Sequence, residues 1–394
     1  MNVFQPLDAL QRFTLLTAWL LFSLAGLAAS DAGATMSNDP LWRGGEIIKT
    51  SVPLLTSVVH RTVHRAVQGE YQFLHGPAVV WFQGEIFASW ANSPIDENSA
   101  AEVLRFSSSL DGGLTWMPPG MIGPGDPGRE SHSHGSFHIH DGGLLAYAAR
   151  YTGAATDGNG GPTFPDLRME LFAYDEAMRS WTTRGIVADG FWPLDEPKRL
   201  PGGGWLLGGL DAWERPVVAR SQGSRVAATW AVTRLPVAAP AKLRFAETSV
   251  FIAGGLIRAV VRNTKASVAL VSTSEDDGLT WSELVPSRFP MGTAKPCAGT
   301  LSTGQPFLVC NLFEGRNILG IAVGRPGSPY LEKVWRIRDG VSEQPRFPGR
   351  AKSPQWSYPY AFEHGGSLYV VYSVGKEDCE MSVIPLETLQ ISAL

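Results

Sequence analysis

SLDGGLTW, residues 109–116, returns as SEDDGLTW at residues 274–281. Both copies read Ser-x-Asp-x-Gly-x-Thr-Trp, and the residue types describe a tight turn. An Asp side chain can accept backbone N–H groups there, Gly supplies a positive φ, and Trp buries its ring against a neighbouring sheet. One copy would be a local accident. Two copies, starting at 109 and 274, ask for a larger period.

The period lies in the hairpins around them. Six pairs of apolar runs, each joined by a Gly-containing turn, recur along the chain: AVVWFQGEIFASW, SFHIHDGGLLAYAAR, KRLPGGGWLLGGL, SVFIAGGLIRAVV, GTLSTGQPFLVC and YAFEHGGSLYVVYS. Their turn glycines are Gly84, Gly142, Gly203, Gly254, Gly304 and Gly365, spaced 58, 61, 51, 50 and 61 residues apart. β-Branched and aromatic residues flank each turn, as in β-hairpins. A third run follows several of them (EVLRFSS, MELFAYD, RVAATWAV, VALVSTS), and a Trp closes most units: Trp116, Trp181, Trp230, Trp281 and Trp335. A sheet of about four strands cannot bury both faces alone, whereas six such sheets around an axis cover one another. The expected fold is all-β, a six-bladed β-propeller whose boxes form turns. A degenerate box is expected at YDEAMRSW, ending in Trp181. The repeat runs without a linker, so residues 35–394 are expected to form one propeller, closed by a strand near Gly45–Thr50 paired with EMSVIPL or its neighbour.

Composition agrees. Of 394 residues 44 % are apolar and 18 % charged, with 43 Gly and 28 Pro, which suits short strands and turns rather than long surface helices. A net charge of -4 makes no electrostatic case for nucleic acid. The thirteen Trp and nine Tyr exceed what a core needs, and aromatic faces suit sugar rings. The apolar run Phe13–Ala29, followed by small residues, reads as a secretory signal over residues 1–34, with cleavage after Ser30 or Ala34. An uncleaved anchor is the alternative. The remainder is therefore expected to be secreted or periplasmic, with no other membrane contact and no cofactor.

The box is similar to the Asp box repeated in sialidases and related propellers. That resemblance implies a turn between the third and fourth strands of a blade, on the side away from the active site, so Asp111 and Asp276 are architectural. The site then lies at the other end. Before the first strands stand His75, His134, Glu196, Glu247, Lys295 and Tyr358. The loops between second and third strands supply Asn92, Asp96 and Glu97; Arg150 and Asp157; Asp211, Glu214 and Arg215; Arg262 and Asn263; Asn311, Glu314 and Arg316; and Lys376 and Asp378. Such convergent groups on a rigid scaffold point to a binding site.

The sialidase resemblance implies roles for some of them. Tyr358, with Tyr360 as rival, occupies the place of the nucleophile, Glu247 that of its base, and Arg262 that of one carboxylate-binding Arg. Asp96 is the expected acid/base, Glu97 the alternative. A bare phenol has a pKa near 10 and is a weak nucleophile at neutral pH, so a base is needed. His75, His134, Arg150, Glu196, Lys295 and Lys376 are expected to contact substrate. The chain departs from the family at His75-Gly76-Pro77, where sialidases carry Arg-Ile-Pro, and at blade five, where Lys295 or Arg316 would have to supply the cation. The implied partner is a glycan, an acidic sugar among the options. The alternatives are a propeller polysaccharide lyase using His134, Tyr358 and Arg262 on a uronate, and a carbohydrate-binding propeller without catalysis.

Two further expectations concern His and Cys. His132, His134, His138 and His140 share one strand parity, and the outer two would lie ~26 Å apart at ~3.3 Å per residue, too far for a common metal. Only His132 with His134 could contribute to zinc binding. A two-residue turn at Thr303-Gly304 would place Cys297 opposite Cys310, allowing a disulfide, while Cys379 would stay free.

Overall fold

Alternating apolar residues and paired turn glycines leave the chain little choice but short antiparallel strands. The computed structural model describes residues 38–126, 129–156, 162–239 and 243–391, and these form five four-stranded sheets and one five-stranded sheet arranged as the blades of a β-propeller. Blade one comprises Phe73–Phe82, Glu85–Ser93, Val103–Ser109 and Gly120–Gly123. Blade two comprises Ser131–His140, Gly143–Tyr151, Arg168–Asp175 and Ser180–Asp189. In blade three Trp192–Pro193 and Lys198–Arg199 both pair with Trp205–Leu210, followed by Pro216–Arg220 and Ala231–Arg234. Blade four is Thr248–Ala253, Leu256–Val261, Leu270–Ser274 and Val285–Pro286; blade five is Cys297–Thr300, Pro306–Asn311, Leu319–Val323 and Lys333–Arg338.

Blade six takes three strands from the C-terminal end, Trp356–His364, Ser367–Val374 and Asp378–Pro385, and its outer strand, Val59–His64, from the N-terminal end. The partner of the closing strand is the expected one, but the strand itself lies further along the chain than Gly45–Thr50. The earlier segment is used differently. Trp42 is buried beside Phe289, and Trp42 and Leu54 make parallel bridges to Leu331 and Arg336 of blade five. Only after a single turn at Lys49–Ser51 does the chain reach the free edge of blade six. Joining first and last segments in one sheet removes the open edge that a ring would otherwise leave.

The core lies between blades. Phe251, Val260 and Val271 of blade four meet Ala298, Leu308 and Cys310 of blade five, while Val309, Ile321 and Cys297 on the other face of blade five meet Ala361, Val370 and Tyr372 of blade six. Each fully buried Val, Leu or Phe in these layers contributes about 1.5–3 kcal/mol relative to exposure.

Blade five also corrects the disulfide expectation. Its hairpin turns through three residues: Leu301 N–H donates to Gln305 O at 2.8 Å, and Gly304 has φ +81°. Cys297 therefore pairs with Val309 instead of Cys310. A one-residue register change sends the two thiols to opposite faces, and Cys297, Cys310 and Cys379 are all free and buried. Blade three differs too: its third strand is Pro216–Arg220, and RVAATWAV lies mostly in the approach to the fourth.

Both boxes sit between third and fourth strands. Asp276 Oδ1 accepts from Ser274 Oγ (2.8 Å), Leu279 N (3.1 Å) and Thr280 N (2.8 Å), and Oδ2 from Thr280 Oγ1 at 2.6 Å. Asp111 repeats the pattern with Ser109, Leu114 and Thr115. In the degenerate copy Asp175 accepts from Met178 N at 3.0 Å, and Arg179 takes a left-handed φ of +49°. Among the described residues no helix is long and apolar enough to cross a membrane. The apolar N-terminal run and Asp157 lie outside the described residues.

Candidate functional site

Three blades begin their first strand with the same irregularity, and it aims side chains at the propeller mouth. Pairing shifts between His75 and Ala78 in blade one, between Ser133 and Gly135 in blade two, and between Ser357 and Tyr360 in blade six. Such bulges re-aim residues at functional sites. Here they turn His75, His134 and Tyr358 toward one another: His75 stacks edge-on against Tyr358 (ring centroids 5.0 Å) and against His134 (4.4 Å). Gly76 is required between them. It has φ +59°, and a Cβ there would stand 2.1 Å from His134 Cγ.

These rings floor a cavity of about 980 Å³ at the end of the propeller opposite the Asp boxes. Glu97, Asp211, Glu214, Glu247, Arg262, Arg316, Arg350 and Lys376 add charge to its walls. Backbone strain concentrates here. Of the eleven non-glycine residues with positive φ among the described residues, six line the cavity: Asn98, Glu214, Phe245, Ala351, Tyr358 and Lys376. A left-handed tyrosine or phenylalanine is a genuine outlier, and strain of about 1–3 kcal/mol per residue persists where the surroundings enforce it, typically at functional sites.

The charged groups are coupled across blades. Arg262 Nη1 donates to Glu247 Oε2 at 2.6 Å, both side chains being buried. The pairing is built into the blade-four hairpin: Thr248 pairs with Val261, and Arg262 N–H donates to Glu247 O at 3.0 Å, so the two side chains start directly opposite one another. Burial alone would lower the Arg262 guanidinium, but Glu247 and Tyr358 outweigh it and hold it above its ordinary value. Arg262 thus stands with both groups, and among the described residues no hydrogen bond joins Glu247 directly to Tyr358. Burial pushes the Tyr358 phenol up, Lys376 and Arg316 drawing it partly back, and both cations lie over its ring at 5.2 and 5.4 Å.

Lys376 Nζ donates to Glu97 Oε2 at 2.7 Å, and His75 Nε2 lies 3.3 Å from Glu97 Oε1. Burial would raise the Glu97 carboxyl; Lys376 overrides it and keeps the group below its ordinary value. Burial, reinforced by Lys376, Arg316 and Lys295, depresses His75 far below 6.5, and burial with His75 does the same to His134, so both imidazoles are neutral. Arg316 donates to Gln355 Oε1 (2.8 Å) and Thr293 O (3.2 Å), and among the described residues it makes no ion pair. Glu214, held by Arg244 at 3.1 Å, is pushed up to about 7, chiefly by burial.

Of the residues singled out from sequence, Tyr358, Glu247, Arg262, His75, His134 and Lys376 meet in this cavity. Asp96 does not; it turns outward to the exposed Arg350, accepting from its backbone N–H, while its neighbour Glu97 enters the site. Arg150 lies at the end of the second strand of blade two, outside the cavity, and pairs with Glu130 and, at 3.7 Å, with Glu170. Glu196 lines a separate recess of about 330 Å³ with Lys198, because prolines 193 and 197 interrupt the first strand of blade three and leave Trp192 and Leu194 at the cavity. Lys295 is buried beneath the floor, donating to Leu194 O (3.0 Å) and Pro359 O (2.9 Å), where it ties blade three to blade six.

The other histidines serve elsewhere. His132 Nε2 lies 2.9 Å from Glu170 Oε2, and His138 packs on Trp205. The bulge at His134 separates it from His132, so they share no ligand. Glu130, His132 and Glu170 do bring ligand atoms within 4.8 Å of one another, but the Arg150 guanidinium already stands against both carboxylates. Glu214 and Phe245, which complete the blade three–four wall, carry no sequence signal beyond their place in loops; their strain exists only in the fold.

Comparison with solved structures shows the same architecture. A Dyadobacter fermentans protein of unknown function superposes with a TM-score of 0.64 at 15 % identity, over 84 % of this chain and 100 % of that one. A leech intramolecular trans-sialidase complexed with 2,7-anhydro-Neu5Ac gives 0.64 at 12 % identity, over 85 % of this chain and 71 % of that one. A sialidase gives 0.62 at 18 % identity, covering 89 % of this chain, which spans 35 % of that longer protein. No curated protein sequence matches. The BNR repeat-like domain family matches residues 84–370, well over half of the chain, and the protein belongs to that family.

Proposed function

We propose that the protein is an exported, sialidase-like glycosidase that removes an acidic sugar from a glycan. The observation that carries this reading is the guanidinium of Arg316, without an ion-pair partner among the described residues, in a cavity that also holds Arg262, Lys376 and a strained, buried Tyr358. A sugar carboxylate would supply the charge that Arg316 lacks, and a planar guanidinium can take it bidentately.

In this reading Tyr358 Oη attacks the anomeric carbon. Its proton passes to Glu247, whose Oε2 is bonded to Arg262. Glu97, in place of Asp96, protonates the leaving oxygen and later takes a proton from the water that hydrolyses the glycosyl-tyrosine. The Lys376 ammonium keeps Glu97 ionised in the empty site. An acidic substrate that draws Lys376 to itself leaves burial to dominate, and Glu97 regains its proton. Substrate charge is thereby coupled to catalysis as well as to binding.

A polysaccharide lyase is the second reading, favoured by the neutral His75 and His134 packed against Tyr358, which could abstract a proton α to a uronate carboxylate. Incubation with a panel of acidic glycans separates the two. A new reducing end without ultraviolet absorbance supports the hydrolase, an unsaturated uronide supports the lyase, and binding without turnover overturns both in favour of a carbohydrate-binding propeller.

A further inference from the structure

The loop that carries Glu97 into the cavity is held from beneath by one side chain. Residues 94–102 join the second and third strands of blade one. The ends of the loop are tied by backbone: Gln72 N–H donates to Pro94 O at 3.1 Å, and Glu102 N–H to Ser99 O at 3.0 Å. Between these ties, Glu97 and Asn98 face the cavity, and Asn98 bends through a left-handed φ of +56°. In that bend the Asn98 N–H points down and donates to Glu102 Oε2 at 3.0 Å.

Glu102 is fully buried and makes no ion pair among the described residues, and its Oε1 has no hydrogen-bond partner. An unpaired carboxylate at that depth is costly, so the group keeps its proton. The groups facing it add no cation. Glu97 is anionic, Tyr151 and Ser133 lie alongside, and the imidazole beyond Ser133, His134, is neutral. Burial first, and the Glu97 charge after it, raise the Glu102 carboxyl to about 8.

We propose that Glu102, in its protonated form, is the positioning residue that latches Glu97 into the cavity through the Asn98 N–H, and that ionisation of Glu102 releases the loop. Ionised, Glu102 would be a second carboxylate beside Glu97 with no counter-charge, and the loop would open to hydrate it. Glu97's catalytic task rests on the glycosidase reading; the latch does not.

Hydrogen–deuterium exchange of the full chain tests the latch without a substrate. At pH 7 and pH 9.5, corrected for intrinsic rates, peptides spanning residues 94–99 are compared in the native protein, Glu102→Gln and Glu102→Ala. The native loop is expected to lose at least tenfold in protection at the higher pH. Glu102→Gln, whose amide oxygen still accepts from Asn98 but cannot ionise, keeps it at both; Glu102→Ala lacks it at both. An alanine variant as protected as the native protein, or a glutamine variant that loosens like it at pH 9.5, overturns the proposal. If the alanine variant does not fold, the glutamine comparison decides alone. With a turned-over glycoside, Glu102→Ala should lose about 100-fold in kcat with KM little changed, and Glu102→Gln should restore it. Absence of turnover in every form, native included, counts against the glycosidase reading and leaves the exchange result to judge the latch.

Discussion

Asp276, at the end of the propeller away from the cavity, receives its hydrogen bonds from Ser274, Leu279 and Thr280, all within four positions of itself. Glu97, at the cavity end, is bonded to Lys376 across 279 positions, and Tyr358 is set by His75, Arg262 and Lys376 from three other parts of the chain. Both ends carry acidic groups and left-handed residues, but they use them differently. At the box end a carboxylate folds its own turn and stays in water. At the cavity end the carboxylates are buried, and cations from other blades or other strands compensate them. The first arrangement stabilises a loop; the second stores charge and strain that a ligand can engage.

The largest expected effect tests whether the cavity end is chemical at all. Tyr358→Phe should lower kcat by about 10³-fold or more with the melting temperature unchanged, because only the attacking oxygen is removed. Tyr360→Phe should leave turnover intact, since that ring is buried beside Lys295 and lies off the cavity. Equal losses in the two variants would show that the cavity tyrosine has no special task.

Next in size is the choice within one loop. Glu97→Gln should cost about 100-fold in kcat, in the range for loss of a general acid–base group, whereas Asp96→Asn, facing Arg350, should remain within about twofold of the native rate, as expected of a surface pair. Steady-state kinetics on the same glycoside decides it, and a reversed order would return the acid/base role to Asp96.

The box end should respond in stability alone. The Asp276 carboxyl is held at about 2 against its ordinary 3.8, mainly by the Thr280 hydroxyl and N–H. A depressed carboxyl favours the folded state above its unfolded pKa, and this help is lost as pH falls from 3.8 through 2. Asp276→Asn should therefore melt below the native protein at pH 7, the two curves should converge toward pH 2, and kcat should not move. Melting curves that stay apart at pH 2 would mean that charge is not what the box uses.

The smallest effect is a count. Thiol titration of the unfolded, unreduced protein should find three reactive cysteines, and the folded protein none, because all three are buried. A single reactive thiol would mean that blade five pairs in the other register.

What could be read in advance follows the same division between local and non-local. The boxes, the hairpin period and the blade count were legible because each depends on residues close in sequence. The Glu247–Arg262 pair came out only with the register of blade four, where a two-residue turn at Gly254-Gly255 puts those residues directly opposite one another, in line with the pairing of Thr248 and Val261. Register reasoning from the sequence failed at blade five, where a three-residue turn at Ser302–Gly304 moved Cys297 one step from Cys310. Local chemistry allows either turn there, and packing against blades four and six selects one.

That the site lies at the mouth opposite the boxes is what the sialidase resemblance implied; the sequence by itself determined a six-bladed β-propeller with Asp-box turns, since turn residues and strand alternation act over a few bonds. It could not determine which of Asp96 and Glu97 enters the site, that Lys295 lies beneath the floor, or that Glu196 and Arg150 are used elsewhere. Those outcomes depend on bulges, on an interrupted strand and on charges that meet only when distant blades close into a ring. In that buried setting a side chain's role is set by its neighbours in space, which sequence spacing does not encode.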